Sequence, residues 1–169
     1  MSDLPVTGWV GLLARLVVGG VWIAAGAVKL PDPYASKTAV AAYDVLPASW
    51  VSPVGLLLPP LEVVIGLVLV AGLFTRWAAV ASSVLLVLFV VGIAQAWARG
   101  LTIDCGCFGG GGYDPDAAAK YPWEIARDVG LLALSAALVW LGPRTRWSLD
   151  GLLFGSARAS ARTEPREGA

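Results

Sequence analysis

The two cysteines of the chain lie close together, separated by one glycine, as Cys105-Gly106-Cys107. The chain contains no histidine, which excludes histidine-based catalytic triads and histidine metal ligands. A disulfide between these cysteines would close a very small ring, and glycine permits the unusual backbone angles that such a ring demands. Strained, exposed disulfides are easily reduced and tend to be labile or catalytic. The pair therefore favours thiol–disulfide exchange.

Two other interpretations of the cysteine pair remain open. Zinc usually binds four Cys or His ligands, and one chain offers only two thiolates and the neighbouring Asp104. A zinc site would therefore require two chains, and we predict no metal site in a single chain. The third interpretation is a purely structural disulfide. A bridge that encloses one residue restricts the unfolded chain very little, which weakens this interpretation without excluding it.

The composition is that of a membrane protein. Hydrophobic residues make up 57% of the 169 residues and charged residues 14%, against about 45–50% and 25% in ordinary soluble chains. A chain this short cannot hide so much apolar surface from water, and a disordered chain would be polar and charged. The 12 basic and 12 acidic residues balance, so no basic excess points to nucleic acid. The expected partner is the lipid bilayer.

Four apolar stretches are long enough to cross a bilayer, which takes about 20 residues. They cover residues of about 8–28, 53–74, 77–98 and 121–141. We therefore predict an all-α fold, an integral membrane four-helix bundle over residues 8–142. In the first long loop, Val40, Tyr43 and Leu46 have helical spacing. This predicts a short amphipathic helix capped by Ser36, the alternative being an ordinary loop.

The positions of Lys and Arg predict the orientation of the spans, because these residues are enriched in cytoplasmic loops. Arg76 lies between the second and third spans, and five arginines follow the fourth: Arg144, Arg146, Arg158, Arg162 and Arg166. We therefore predict that residues 1–7 and the Arg-rich tail 143–169 are cytoplasmic. The loop that carries the two cysteines would then be extracytoplasmic, where disulfides persist.

Charged and polar residues inside the predicted spans form a second group of candidates. Intramembrane charges are costly and usually face a partner or a cavity. Glu62 needs a basic neighbour, for which Arg127 is the first candidate and Arg15 the second, and Gln95 could join them. Asp128 follows Arg127 directly. The alternatives are a structural ion pair, a polar pocket for a quinone head group or a proton path, and charges that extend to the interface.

Several of these residues resemble one known family. The pattern comprises Arg15 to Gly19 and Lys29 to Asp32, then Glu62 with Gly66, Gly72 and Arg76, then Arg127-Asp128. Its most specific part is the hexapeptide Asp104-Cys105-Gly106-Cys107-Phe108-Gly109. Together these residues resemble the MauE (methylamine utilisation protein) family, within the broader DoxX-like group of four-helix membrane proteins. The resemblance extends over about residues 12–141.

The resemblance implies a multi-pass protein of the bacterial inner membrane that works with an extracytoplasmic thioredoxin-like protein. In the methylamine pathway such a pair is thought to help form disulfides in a secreted redox enzyme. One hypothesis is therefore a membrane thiol–disulfide oxidoreductase that uses Cys105 and Cys107, with a quinone as its other redox partner. The alternative is a non-catalytic membrane anchor or assembly subunit for a secreted redox enzyme.

Overall fold

The computed structural model describes residues 4–141. In chain order its elements are α1 (Leu4–Lys29), α2 (Pro33–Ala42), α3 (Ala48–Ala71), α4 (Thr75–Ala98), β1 (Ile103–Asp104), β2 (Gly112–Tyr113) and α5 (Ala117–Leu141). The described part is thus mostly helical. Helix α1 begins at Leu4, inside the predicted N-terminal segment 1–7. Residues 1–3 of that segment and the predicted tail 143–169 lie outside the described residues.

Three of the four long helices have the length and apolar composition needed to cross a membrane. They are α1 from Gly8 to Lys29, α3 and α4. Helix α5 has the length of a span, but Glu124, Arg127 and Asp128 interrupt its apolar sequence. The structure therefore supports a membrane protein with three candidate spans, whereas a fourth span in α5 stays a prediction.

Glycines allow α1 and α3 to approach each other closely. A Cβ atom at Gly66 of α3 would lie 2.6 Å from the carbonyl oxygen of Gly19 in α1, and one at Gly19 would lie 2.9 Å from the carbonyl oxygen of Gly66. Neither distance is compatible with a real side chain. Small residues at helix interfaces are typical of membrane proteins, because they allow backbones to pack directly.

A core cluster joins α1, α3, α4 and α5 through buried side chains such as Val18, Leu69 and Leu138. Within it the Trp22 ring nitrogen donates a hydrogen bond of 2.7 Å to the Ser82 hydroxyl. The Ser82 and Ser135 hydroxyl oxygens lie 2.9 Å apart. These bonds connect α1, α4 and α5 at one level of the core and leave few buried polar atoms unpaired there.

The first long loop contains a helix, but not with the predicted bounds or cap. Helix α2 begins at Pro33, and the Asp32 carboxylate caps it by accepting a 2.9 Å hydrogen bond from the Ala35 amide. The Ser36 cap was therefore wrong, since Ser36 lies buried inside the first turns. Asp followed by Pro is a favourable start, because Pro lacks the amide hydrogen that would go unpaired there.

The order of the helices brings both long loops to one end of the molecule. Helices α1 and α4 end there, and α3 and α5 begin there. The opposite end holds the short turn between α3 and α4, in which Gly72 closes α3 with a left-handed backbone. The cysteine loop, α2 and one end of each of the four long helices thus lie at the same end of the molecule.

Candidate functional site

A small β-hairpin, which the sequence analysis did not predict, positions the two cysteines. Strands β1 and β2 pair antiparallel, with Ile103 opposite Tyr113 and Asp104 opposite Gly112. Cys105 follows β1 directly, so the hairpin fixes where the Cys-Gly-Cys segment begins. Gly106 has φ of 66°, a left-handed conformation that favours glycine. The central glycine is therefore required by the turn itself, whether or not the cysteines are bridged.

Both cysteines are free thiols that contact each other. The Cys107 amide donates a 3.4 Å hydrogen bond to the Cys105 sulfur, and the Cys107 thiol lies 3.9 Å from the Cys105 carbonyl oxygen. Cys107 is 7% exposed, whereas Cys105 is half-buried. The pair is therefore placed for mutual reaction, with Cys105 the more accessible sulfur.

The surroundings of Cys105 disfavour its thiolate. A side-chain hydrogen bond with Cys107, together with burial, raises the pKa of the Cys105 thiol, and the charge of Glu124 acts in the same direction. No such role was predicted for Glu124 from the sequence. Asp104 stabilises the turn, because its carboxylate accepts a 2.7 Å hydrogen bond from the Gly106 amide.

Two tyrosines that the sequence analysis did not assign to the site attach the cysteine loop to the helices. The Tyr43 hydroxyl donates a 3.0 Å hydrogen bond to the Cys105 carbonyl oxygen. The Tyr121 hydroxyl lies 2.8 Å from the Leu101 carbonyl oxygen and 2.9 Å from that of Ile103. Burial and the neighbouring cysteines raise the pKa of Tyr43, so its hydroxyl keeps its proton as a donor. Sequence patterns could not identify these contacts, because they join residues far apart in the chain.

Glu62 has a basic partner, but neither of the predicted ones. The Lys29 ammonium lies 2.7 Å and 2.9 Å from the two Glu62 carboxylate oxygens, and both side chains are buried. The same ammonium lies 5.7 Å from the centre of the Phe89 ring. Lys29 is the last residue of α1, and no pairing with Glu62 was predicted for it from the sequence.

Arg127 and Arg15, the two predicted partners, bind elsewhere. The Arg127 guanidinium pairs with Asp128 at 2.8 Å and lies 4.8 Å from the centre of the Phe108 ring. Arg15 donates hydrogen bonds of 3.0 Å to the carbonyl oxygens of Leu69 and Val70 at the end of α3. The predicted pairing of Glu62 with an arginine is therefore wrong.

Gln95 also lies apart from Glu62. Its amide donates a 3.4 Å hydrogen bond to the Tyr43 carbonyl oxygen and accepts one of 3.1 Å from Arg99. Gln95 thus supports the chain that leaves α2, and the predicted polar cluster of Glu62, Gln95 and Arg127 does not form. Through Phe108, however, Arg127 and Asp128 do adjoin the cysteine loop.

A cavity of about 270 Å³ lies directly beside the cysteine pair. Cys105, Gly106 and Cys107 form part of its wall, and Lys29, Ser36 and Tyr43 supply its polar side chains. The remaining wall is apolar and comes from α2, α3, α4 and the residues between α2 and α3. The structure thus places the cysteine pair and the end of α1 beside the same cavity. Neither the Cys-Gly-Cys motif nor the sequence of α1 predicts this placement by itself.

Glu124, in the second turn of α5, also adjoins the pair. Its carboxyl is a neighbour of the Cys105 thiol, and its Oε2 atom is buried without a hydrogen-bond partner among the described residues. A carboxylate beside a thiol can accept the proton that the thiol releases. Residues 4–141 contain no group of three or more acidic, Cys or His side chains arranged to hold a metal ion.

Comparison with known proteins found one family. The model of the family described as methylamine utilisation protein MauE matches residues 7–141, which include every described element of the site. No curated protein and no solved structure matches the chain. The family match covers the greater part of the sequence.

Proposed function

The chain belongs to the family of methylamine utilisation protein MauE, and on this premise we propose that it is a membrane thiol–disulfide redox protein. Its Cys105–Cys107 pair exchanges electrons with an extracytoplasmic thioredoxin-like protein. The proposal concerns the exchange at the cysteine pair and does not require methylamine as a substrate.

One observation carries the proposal: two thiols in direct contact lie on a glycine-rich turn at the end of a helical bundle. In the oxidised form, a thiolate of the partner attacks one sulfur and the Cys105–Cys107 bond breaks. The partner's second thiolate then attacks the mixed disulfide. Two electrons pass to the pair, which becomes a dithiol, while the partner gains a disulfide.

Access to the Cys107 sulfur requires the turn to move, since Cys107 is 7% exposed. Four consecutive glycines from Gly109 to Gly112 all have positive φ, and a run of glycines has low resistance to backbone rotation. Phe108, held over Arg127, lies between Cys107 and this run. Rotation within the glycine run would bring the Cys107 sulfur to the surface.

Single cysteine variants test the proposed exchange. We expect Cys105→Ala to accumulate a mixed disulfide through Cys107 with a thioredoxin-like protein, because the resolving thiol is absent. We expect Cys107→Ala to accumulate less, because burial and the charge of Glu124 still raise the pKa of the Cys105 thiol when Cys107 is absent, and its thiolate is scarce. Non-reducing electrophoresis of native membranes, followed by mass spectrometry of the trapped species, measures both.

The double variant Cys105→Ala/Cys107→Ala is the control, since it has no thiol. An absence of any mixed disulfide in both single variants would contradict the proposal. Equal trapping by the two would contradict the expected preference for Cys107 in the mixed disulfide and leave the exchange itself intact.

The proposed orientation places both termini in the cytoplasm and the cysteines outside. We expect a membrane-impermeant maleimide to label the reduced pair in spheroplasts. A cysteine introduced at the exposed Phe74, in the short turn between α3 and α4 on the proposed cytoplasmic side, serves as a control for reagent leakage in the cysteine-free variant. Labelling of the pair only after the membrane is lysed would reverse the orientation.

The second candidate function is a non-catalytic anchor for a secreted redox enzyme. The burial of Cys107 in a cluster with Ile93, Ala96 and Tyr121 favours it, because such packing is typical of a structural cysteine. A serine at Cys107 that leaves the assembly of the partner enzyme intact, with no trapped intermediate in any variant, would support the anchor.

A further inference from the structure

We propose that the cavity beside the cysteine pair binds the head group of a membrane quinone, which reoxidises Cys105 and Cys107. The inference rests on the proposed function, since that exchange leaves the pair as a dithiol. It differs from the pocket predicted from the sequence, which involved Glu62, Gln95 and Arg127.

Reforming the Cys105–Cys107 disulfide requires a two-electron oxidant that reaches the cysteine pair. Reoxidation breaks two S–H bonds and forms the Cys105–Cys107 bond, which releases two electrons and two protons. A quinone accepts both, and its two carbonyl groups become hydroxyl groups. No other cysteine exists in the chain to relay the electrons, so the acceptor must reach the pair itself. The cavity meets this condition, because both cysteines form part of its wall.

The size and the lining of the cavity fit a substituted ring better than a charged oxidant. Its volume of about 270 Å³ is near the lower end of the range of ligand pockets, which suits a ring but not a long tail. The wall is almost entirely apolar. Leu88, which lines the cavity from α4, is 58% exposed on the outer surface of the helices. A molecule dissolved in the bilayer can therefore enter from the side and leave its tail in the lipid.

Lys29 supplies the polar group that a quinone carbonyl needs. An ammonium has three N–H donors, and Glu62 accepts two hydrogen bonds from this one. The third donor is available to a ligand in the cavity that Lys29 lines. The Phe89 ring lies beside the same ammonium and offers an apolar face to a planar ligand. Glu124, next to Cys105, can accept a thiol proton.

The test uses the full chain in detergent and decylubiquinone, whose fully substituted ring disfavours addition of a thiol. We expect the reduced wild type to convert it to the quinol, with one disulfide formed per quinol, at a rate that saturates with quinone concentration. Leu58→Trp places a large side chain in the cavity. We expect it to slow this step by about tenfold or more, because ligand affinity depends on an open, complementary pocket.

Leu57→Trp is the matched control, because Leu57 is the neighbouring residue of α3 and is 67% exposed away from the cavity. It should oxidise at the wild-type rate. Binding is measured separately in the variant Cys105→Ala/Cys107→Ala, where decylubiquinone should raise the thermal midpoint in a saturable way. Adding Leu58→Trp should abolish that rise.

The outcomes separate this inference from the proposed function. If the pair exchanges disulfides with its partner but decylubiquinone neither binds nor oxidises it, the quinone site is wrong and the exchange stands. Equal rates in Leu58→Trp and Leu57→Trp would also overturn the cavity as the site. If decylubiquinone oxidises the pair by way of the cavity while no mixed disulfide can be trapped, the quinone site stands and the proposed exchange partner is wrong.

Discussion

Glu62→Met is expected to destabilise the protein by about 3–5 kcal/mol, because it leaves the buried Lys29 ammonium without its carboxylate. Lys29→Met should cost a similar amount, since it leaves a buried carboxylate uncompensated. The double variant should recover most of the loss, because paired apolar residues of similar volume often replace a buried ion pair at little cost. The free energy of unfolding, from titration of mixed micelles with a denaturing detergent, measures all three.

A second double-mutant cycle tests whether Glu62 pairs with Lys29 or with Arg127, the partner first expected from the sequence. In the cycle of Glu62→Met with Arg127→Met the two losses should add, because Arg127 pairs with Asp128 instead. Coupling between Glu62 and Arg127, with additive losses for Glu62 and Lys29, would show that the charges are arranged differently from the structure.

The second large effect is expected at the contact between α1 and α3. Gly66→Ala would place a Cβ atom 2.6 Å from the Gly19 carbonyl oxygen and 2.8 Å from the Ile23 amide nitrogen. Both are backbone atoms, so the helices must separate, at a cost of about 1–3 kcal/mol or more. Because Lys29 and Glu62 face each other across the same pair of helices, the shift should also weaken their ion pair.

Gly20→Ala is the matched control for this prediction. No heavy atom lies within 4 Å of a Cβ built at Gly20, so the substitution meets open space and should gain a few tenths to about 1 kcal/mol from helix propensity. The same unfolding titration measures both variants. Equal stabilities of Gly66→Ala and Gly20→Ala would mean that α1 and α3 are farther apart than the structure has them.

The sequence predicted the features that depend on local composition. Apolar runs of membrane length identified the four long helices, although α5 carries too many charges to be counted with the other three. The Cys-Gly-Cys motif, with the surrounding pattern, indicated the family, which the family match confirms, and the role of the two cysteines stays a prediction. Each of these signals lies within one stretch of chain, so no knowledge of packing was needed.

The errors concern contacts that depend on how the helices are rotated and placed. Glu62 and Lys29 are 33 residues apart, and no sequence pattern shows that the long lysine side chain reaches Glu62 from the end of α1. The hairpin was missed because strands of two residues, one of which contains Gly112, show no alternating pattern. The cap was misplaced because Ser36 and Asp32 are both good caps, and the prediction did not take into account that Pro33, a favoured first residue of a helix, follows Asp32.

The two cations of α1 favour its insertion together with α3. Arg15 binds carbonyl oxygens at the end of α3, and Lys29 binds Glu62 in the middle of α3. When α1 leaves the ribosome, neither partner has been made. An unpaired cation costs up to about 2.5–3.5 kcal/mol at the centre of a bilayer, and less toward a helix end, where Lys29 lies. Helix α1 is therefore more stable in lipid beside α3 than alone, because α3 supplies acceptors for both cations.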